Sequence, residues 1–441
     1  MEVCIIGSGD AGAIAALQIR RLSSQAQIDV FNKREELGCN PCEIPLVLSG
    51  SVSKWEDSYR GYRVMPFYEK RNIKLHLNTE VTDILRDKKK IIADGQEYDY
   101  DKAVLALGAT PTIPSFLGLD GKNEFALSTD IEDARTFRDA ILKNSSAAIV
   151  GGGFIALEIA DALIARGYSK VYLLIRRGIM RAHLDEDMAE ELKQILAGKG
   201  VQLIMPAHIE RISSKNGKKR VVLSDRELEI DFVFLGTGAE PNVKLARKVG
   251  LEIGDTGAIV VNPHLQTSDC DIYAVGDCME NWDMVTGSKR RHQLATNAIR
   301  TGYIAGRNAL LGNKLSYGGT VMPFVTKIFD YQVGAVGFTE KEAREKGIET
   351  ISTTVNTPYL REPRGGRPAW YKLIAEPKTQ TLVGAQLISQ EIVSGTIDKL
   401  AVAIANRMPL VKLVQIDSCY SPYVQEDQIA VPIQRLIDEL S

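Results

Sequence analysis

The chain has 441 residues, enough for two or three domains that each bury a core. With 54 basic and 56 acidic side chains, a net charge of −2, and 44% apolar residues, its composition is that of an ordinary globular protein. A disulfide-stapled peptide, a polybasic nucleic-acid binder and a protein held to membranes by bulk charge are excluded.

The N-terminus runs as MEVCIIGSG straight into a strand and a glycine turn, without a secretory leader pattern. No window holds the roughly 18 uninterrupted apolar residues of a membrane helix, so a cytoplasmic protein is expected. Short β-branched runs at 2–6, 27–31, 146–150, 170–175 and 231–236 alternate with helical patterns, the rhythm of βαβ units on parallel sheets.

Gly7, Gly9 and Gly12 lie between the strand 3–6 and the helical run 13–22. In that setting the first glycine permits a tight turn, the second lets backbone approach a pyrophosphate, and the third lets helix pack on strand. A dinucleotide site is predicted, with Asp10 and Ala11 inside the turn. About 20 residues past the third glycine an acid usually holds the ribose. Here Asn32 stands in that place, followed by Lys33, and an amide can still donate and accept hydrogen bonds. Cys39 and Cys42 then form a CxxC pair among six cysteines, too few for a disulfide framework. Residues 41–49 read as a helix start, whose dipole favours a thiolate.

Segment 148–156, AIVGGGFIA, is similar to segment 3–12, VCIIGSGDAG, so the nucleotide-binding unit occurs twice. The second turn is Gly151, Gly153 and Ala156, with Phe154, Ile155 and Glu158 opening its helix. About 20 residues on, Arg176 and Arg177 replace the ribose carboxylate. Paired guanidiniums suit a ribose 2′-phosphate, which favours NADPH over NADH; a solvated turn is the alternative. Two dinucleotide sites imply electrons passing between two cofactors.

Segment 267–277, TSDCDIYAVGD, resembles the second flavin fingerprint of flavoproteins with two dinucleotide-binding domains, through Thr267, Tyr273, Ala274, Gly276 and Asp277. Segments 103–110, AVLALGAT, and 232–238, FVFLGTG, resemble the two crossings between such domains and put Gly108, Ala109 and Gly238 at the cofactors. GCNPCEIPLVLSG at 38–50 narrows the likeness through Cys42, Glu43, Ile44 and Pro45. It resembles the FAD-dependent pyridine nucleotide-disulfide oxidoreductases, in the branch of coenzyme A-disulfide reductases, NADH oxidases and peroxidases, and persulfide or sulfur reductases.

The resemblance implies an α/β fold of two Rossmann-like domains followed by an α+β dimerisation domain. FAD would lie on 1–113 and 243–322 and NAD(P) on 114–242, with dimerisation through 323–441. It implies a hydride passing from NAD(P)H through FAD to Cys42, which reduces a disulfide, persulfide or sulfur substrate. Segments 325–347 and 417–429 carry the likeness to the dimerisation domain. They imply a homodimer whose active site is completed across the interface, by Tyr420 and, more loosely, Tyr359.

By position, Gln18, Arg21 and Arg71 would meet a coenzyme A-linked substrate, although Arg20 and Arg21 also fit a solvated helix face. The family's histidine after the flavin fingerprint is Ile299 here, and Asp427 or Gln428 stands near where a basic residue is usual. Cys39 departs from the family too, and reads equally as a resolving thiol for Cys42 or as a small hydrophobe. No metal site is expected. The alternatives are an NADH oxidase or peroxidase working through a Cys42 sulfenic acid, an electron-transfer reductase for a small iron protein, and a non-catalytic redox sensor.

Overall fold

The structure is a computed structural model that describes residues 1–37, 40–58, 61–115, 118–128, 130–358, 365–419, 421 and 429–440. Its first unit is a five-stranded parallel sheet in the order Ile272–Ala274, Lys102–Leu105, Glu2–Ile6, Gln27–Phe31 and Lys74–His76. Its central strands are buried on both faces, against the helices Asp10–Leu22 and Ala295–Leu311 and towards the strands Lys90–Ala93 and Gln96–Asp99, where Cys4 Sγ lies 3.6 Å from the Asp99 carbonyl oxygen. The helix Asp10–Leu22 follows the first glycine turn. It lies backbone to backbone against the helix Ala295–Leu311, where a Cβ on Gly302 would fall 2.3 Å from the Ala11 carbonyl oxygen and one on Gly306 2.5 Å from that of Ala15.

The second unit repeats the plan, in the order Gln202–Ile204, Lys170–Leu174, Ser146–Val150, Phe232–Leu235 and Glu124–Phe125, all parallel. In each unit an antiparallel three-stranded meander precedes the strand that returns to the centre of the sheet. These are Val81–Leu85, Lys90–Ala93 and Gln96–Asp99 in the first, and Ile209–Lys215, Lys218–Leu223 and Glu227–Ile230 in the second. The chain leaves the first unit through Ala109–Pro111 and returns through Ala239–Pro241, and these two crossings pair antiparallel. In the chain, the strands of the second unit therefore lie between these two crossings, and Ile272–Ala274 rejoins the first sheet.

The third unit is an antiparallel sheet in the order Phe324–Ile328, Tyr331–Gly337, Thr381–Ser389, Ala369–Glu376 and Ile351–Asn356. The helices Ser394–Ala405 and Ala430–Leu440 share one apolar core with it. It grips the second unit by polar contacts. Buried Lys372 lies 2.8 Å from the Asp187 carboxylate and 2.7 Å from that of Glu340, while Gln386 donates to Asp185 at 2.7 Å. A buried ammonium is tolerated only when paired in this way. Among the described residues no helix is long and apolar enough to cross a membrane.

Candidate functional site: two dinucleotide grooves and a thiol

In the first groove the turn is forced by packing. Gly7 sits at φ +111°, and a Cβ there would fall 2.1 Å from the Ala106 carbonyl oxygen; one on Gly12 would fall 1.9 Å from that of Gly7. Gly9, the N-cap of the helix, has nothing among the described residues within 4 Å of where a Cβ would stand, which leaves open space where a pyrophosphate would approach. Gly276 packs its open side on Ala11, which brings the flavin fingerprint onto this turn. Asp277 accepts no hydrogen bond among the described residues, and burial together with the Asp10 carboxylate pushes it up to about 6. Such a carboxylate beside an open cradle is suited to accept from ribityl hydroxyls.

Asp10 itself is buried and paired with buried Arg63 at 2.8 Å. Asn32 is buried and spends its amide on the local turn, donating to the Glu36 carbonyl at 2.9 Å, while Lys33 is exposed. Gly108, at φ +67°, accepts from Asn242 N–H at 3.0 Å, with Ala109 opening the crossing strand.

The second groove is built alike. Gly151 sits at φ +138°, its Cβ position 2.1 Å from the Gly236 carbonyl oxygen, and Gly153 is again an N-cap with open space. Phe154 and Ile155 begin the helix Phe154–Ala165, and Gly238 accepts from Thr112 N–H at 2.9 Å. Arg176 and Arg177 are exposed just beyond the strand Lys170–Leu174, and neither makes an ion pair or side-chain hydrogen bond among the described residues. Glu158 does not face solvent freely. Its carboxyl accepts from Thr326 of the third unit, and burial pushes it up to about 7.

Cys42 is exposed in the first turn of Pro41–Glu43, which continues into the helix Ile44–Ser49. The Asn40 side chain caps that start, accepting from Cys42 N–H at 3.3 Å and donating to Glu43 at 2.8 Å. The expected helix start over 41–49 is thus present. Its apolar face, Ile44, Val47 and Leu48, packs into the core of the second unit, and Arg166 from that unit donates to the Leu48 carbonyl at 2.7 Å. By contrast, Cys4 and Cys278 are buried, and burial raises both thiols, that of Cys278 to about 11. Cys39, Tyr359 and Tyr420 lie outside the described residues.

The three substrate candidates are not equivalent. Gln18 is buried, Arg21 is exposed, and Arg71 lies 4.2 Å over the Phe67 ring while donating to the Phe67 carbonyl at 3.0 Å. Arg20 corrects the solvated-face expectation. Its guanidinium donates to the carbonyls of Ser23, Ser24, Ala26 and Asn72, which closes the helix end and holds the segment beside Arg71. Sequence reasoning missed Arg63, Gly302 and Gly306. The two glycines, four residues apart in a helical run, carry a readable signal of close helix packing, whereas Arg63 carries none.

Two glycine-turn grooves on interleaved parallel sheets, with a thiol on a helix that joins them, define a two-nucleotide redox protein. The pyridine nucleotide-disulphide oxidoreductase model matches residues 1–302, and the dimerisation domain of the same name matches 324–428. The chain belongs to the pyridine nucleotide-disulphide oxidoreductase family. It is 34% identical over 432 residues to an NADH oxidase of Methanocaldococcus jannaschii, covering 96% of this chain and 95% of that one. To an NAD(P)H sulfur oxidoreductase (CoA-dependent) of Pyrococcus abyssi it is 35% identical over 414 residues, covering 92% and 91%. Among solved structures, the NAD-dependent persulfide reductase from A. fulgidus superposes with a TM-score of 0.95 at 31% identity, over 100% of this chain and 83% of that one. The family implies FAD and a pyridine nucleotide, and the residues present fit both: two open N-cap cradles, an unshared Asp277 carboxylate and two exposed arginines.

Proposed function

We propose that this protein is an NAD(P)H-dependent FAD reductase of disulfide, persulfide or related sulfur substrates, working through Cys42. The observation that carries the reading is the placement of Cys42. It is exposed, capped by Asn40, and set on a helix that leaves the first nucleotide unit and packs into the second. Bound FAD supplies a two-electron relay between nicotinamide and sulfur. The turn Gly7–Gly12 and Asp277 would hold it, and the turn at 151–156 would hold the nicotinamide nucleotide.

Cys42 thiolate attacks one sulfur of the substrate, forming a mixed disulfide and releasing the other sulfur as thiolate. Over the full cycle one disulfide, one NAD(P)H and one proton give two thiols and NAD(P)⁺. We place FAD on 1–113 and 243–322, NAD(P) on 114–242 and the dimer contact on 323–441. Tyr420 and Tyr359 would complete the site across a homodimer, and Cys39 remains a candidate resolving thiol. Of the substrate candidates, exposed Arg21 is the group best placed to meet a phosphorylated carrier such as coenzyme A.

Replacing Cys42 with Ser should abolish turnover of sulfur substrates while NADPH still bleaches the flavin; undiminished turnover would overturn the reading. NADPH is preferred over NADH because Arg176 and Arg177 are exposed without an ion pair among the described residues. The Arg176→Ala/Arg177→Ala variant should lose about tenfold in kcat/KM for NADPH and little for NADH. A second reading, oxygen or peroxide reduction through a Cys42 sulfenic acid, is favoured by the likeness to the M. jannaschii NADH oxidase. Stoichiometric oxygen uptake by wild type without added disulfide would select it.

A further inference from the structure

The first residue of the phosphate-facing helix is a carboxylate. Asp10 sits where the helix N-terminus, with its free N–H groups, is otherwise suited to an external anion. A second carboxylate, Asp277, is close enough to be coupled to it. The FAD diphosphate would add two further negative charges at the same place. Buried like charges of this density are unfavourable unless a cation offsets them.

The offset comes from far along the chain. Arg63, from the loop before the helix Met65–Glu69, places Nη2 2.8 Å from Asp10 Oδ1, and both side chains are buried, at 5% and 7% exposure. The fully buried Tyr68 lies in the same cluster, electrostatically coupled to both Arg63 and Asp10, and its hydroxyl has no hydrogen-bond partner among the described residues. Tyr62 is the other titratable neighbour of Tyr68 there.

Building on the flavin site read above, we propose that Arg63 is a positioning residue for FAD, acting through Asp10. It holds the Asp10 carboxylate against itself, cancels its charge at the mouth of the cradle, and so lets the diphosphate seat on the helix N-terminus. Nothing in the glycine motif requires either residue, and the pair makes sense as a unit: an acid in the turn obliges a buried base beside it.

The test is a double-mutant cycle read as FAD affinity, by quenching of flavin fluorescence on titrating apoprotein, with apoprotein thermal midpoints measured alongside. Arg63→Gln should weaken FAD by at least about tenfold, because the Asp10 carboxylate then loses its guanidinium partner. Asp10→Asn is the reference, and the double variant D10N/R63Q should match its FAD affinity within about threefold. Arg63→Lys, which keeps the charge, should bind FAD near wild type.

Wild-type affinity in Arg63→Gln would overturn the proposal. So would a double variant at least tenfold weaker than Asp10→Asn, a comparison that holds even where Arg63→Gln alone does not fold. A purely structural pair would lower the apoprotein midpoint in Arg63→Gln and leave FAD affinity unchanged. Failure of wild-type apoprotein to bind FAD at all would instead remove the flavin reading itself.

Discussion

The two nucleotide grooves solve one packing problem in opposite ways. In the first, the third position of the turn is Gly12 and the strand end facing it is Ala106; in the second, the turn carries Ala156 and the facing strand end is Gly236. A Cβ on Gly12 would meet the Ala106 methyl at 3.2 Å, and one on Gly236 would meet the Ala156 methyl at 2.9 Å. Each helix-to-strand contact thus carries one methyl, on the strand side in the first groove and on the helix side in the second. The difference teaches that the third glycine of such a motif is a constraint on a pair of positions. Ala156 is no defect in the second turn, because Gly236 makes way for it.

The grooves also differ at the helix start, where Asp10 in one corresponds to Phe154 in the other. The acid brings its own buried counter-charge, Arg63, whereas the aromatic ring packs 6.3 Å from that of Phe324 in the third unit. The first groove is therefore tied within its own unit and the second to its neighbour.

The largest effect should separate the first and second halves of a single turn. Gly12→Ala drives a methyl to 1.9 Å from the Gly7 carbonyl oxygen, a backbone atom that cannot swing away. We expect a loss of about 3 kcal/mol or more, and a first unit that does not hold its fold. Gly9→Ala, with nothing among the described residues within 4 Å, should leave the apoprotein's melting temperature within a few degrees of wild type yet lose FAD. Equal melting losses in the two variants would dissolve the distinction between a packing glycine and a cofactor glycine.

How the second groove is tied to the third unit can be read from pH. Glu158 is pushed up to about 7 from its ordinary 4.5, mainly by burial. A carboxyl raised on folding stabilises the protein while it is protonated. That contribution is full below about pH 4.5 and is lost as pH rises through about 7. The loss amounts to at most about 3 kcal/mol. Glu158→Gln keeps an acceptor for Thr326 and cannot ionise, so its melting temperature should fall less than that of wild type between pH 5 and pH 8. Identical slopes would mean that the Glu158 carboxyl is not held out of water.

Much of this architecture was legible in the sequence, because strands covered on both faces read as apolar runs and a glycine turn is a local signal. The strands 2–6, 27–31 and 146–150 fall where the runs are, and the crossings 103–110 and 232–238 lead into paired strands. The meanders at 81–99 and 209–230 are less legible, since strands such as Val81–Leu85, Gln96–Asp99 and Ile209–Lys215 are half-exposed and alternate weakly, although Glu227–Ile230 alternates strictly. The Asp10–Arg63 pair was invisible for another reason: its members are 53 residues apart and meet only through tertiary packing. The contact of the Arg71 guanidinium with the Phe67 ring and carbonyl is likewise set by packing.

The smallest effect is the sharpest test of the paired-position argument. Gly236→Ala alone puts two methyls into a gap that holds one, 2.9 Å apart, and should cost about 2 kcal/mol. Adding Ala156→Gly removes the other methyl and recreates in the second groove the arrangement that Gly12 and Ala106 make in the first. The strand ends are held alike, Ala106 N–H donating to the Ile6 carbonyl at 2.8 Å and Gly236 N–H to that of Val150 at 2.9 Å, so the exchange leaves the ladder intact. The A156G/G236A double variant should therefore recover most of the stability lost by the single change. A glycine at the third position of the helix carries its own cost of about 1 kcal/mol or less, which sets how complete that recovery can be. Additive losses, measured by denaturant unfolding, would show instead that each position is constrained independently and that the similarity of the two grooves ends at the backbone.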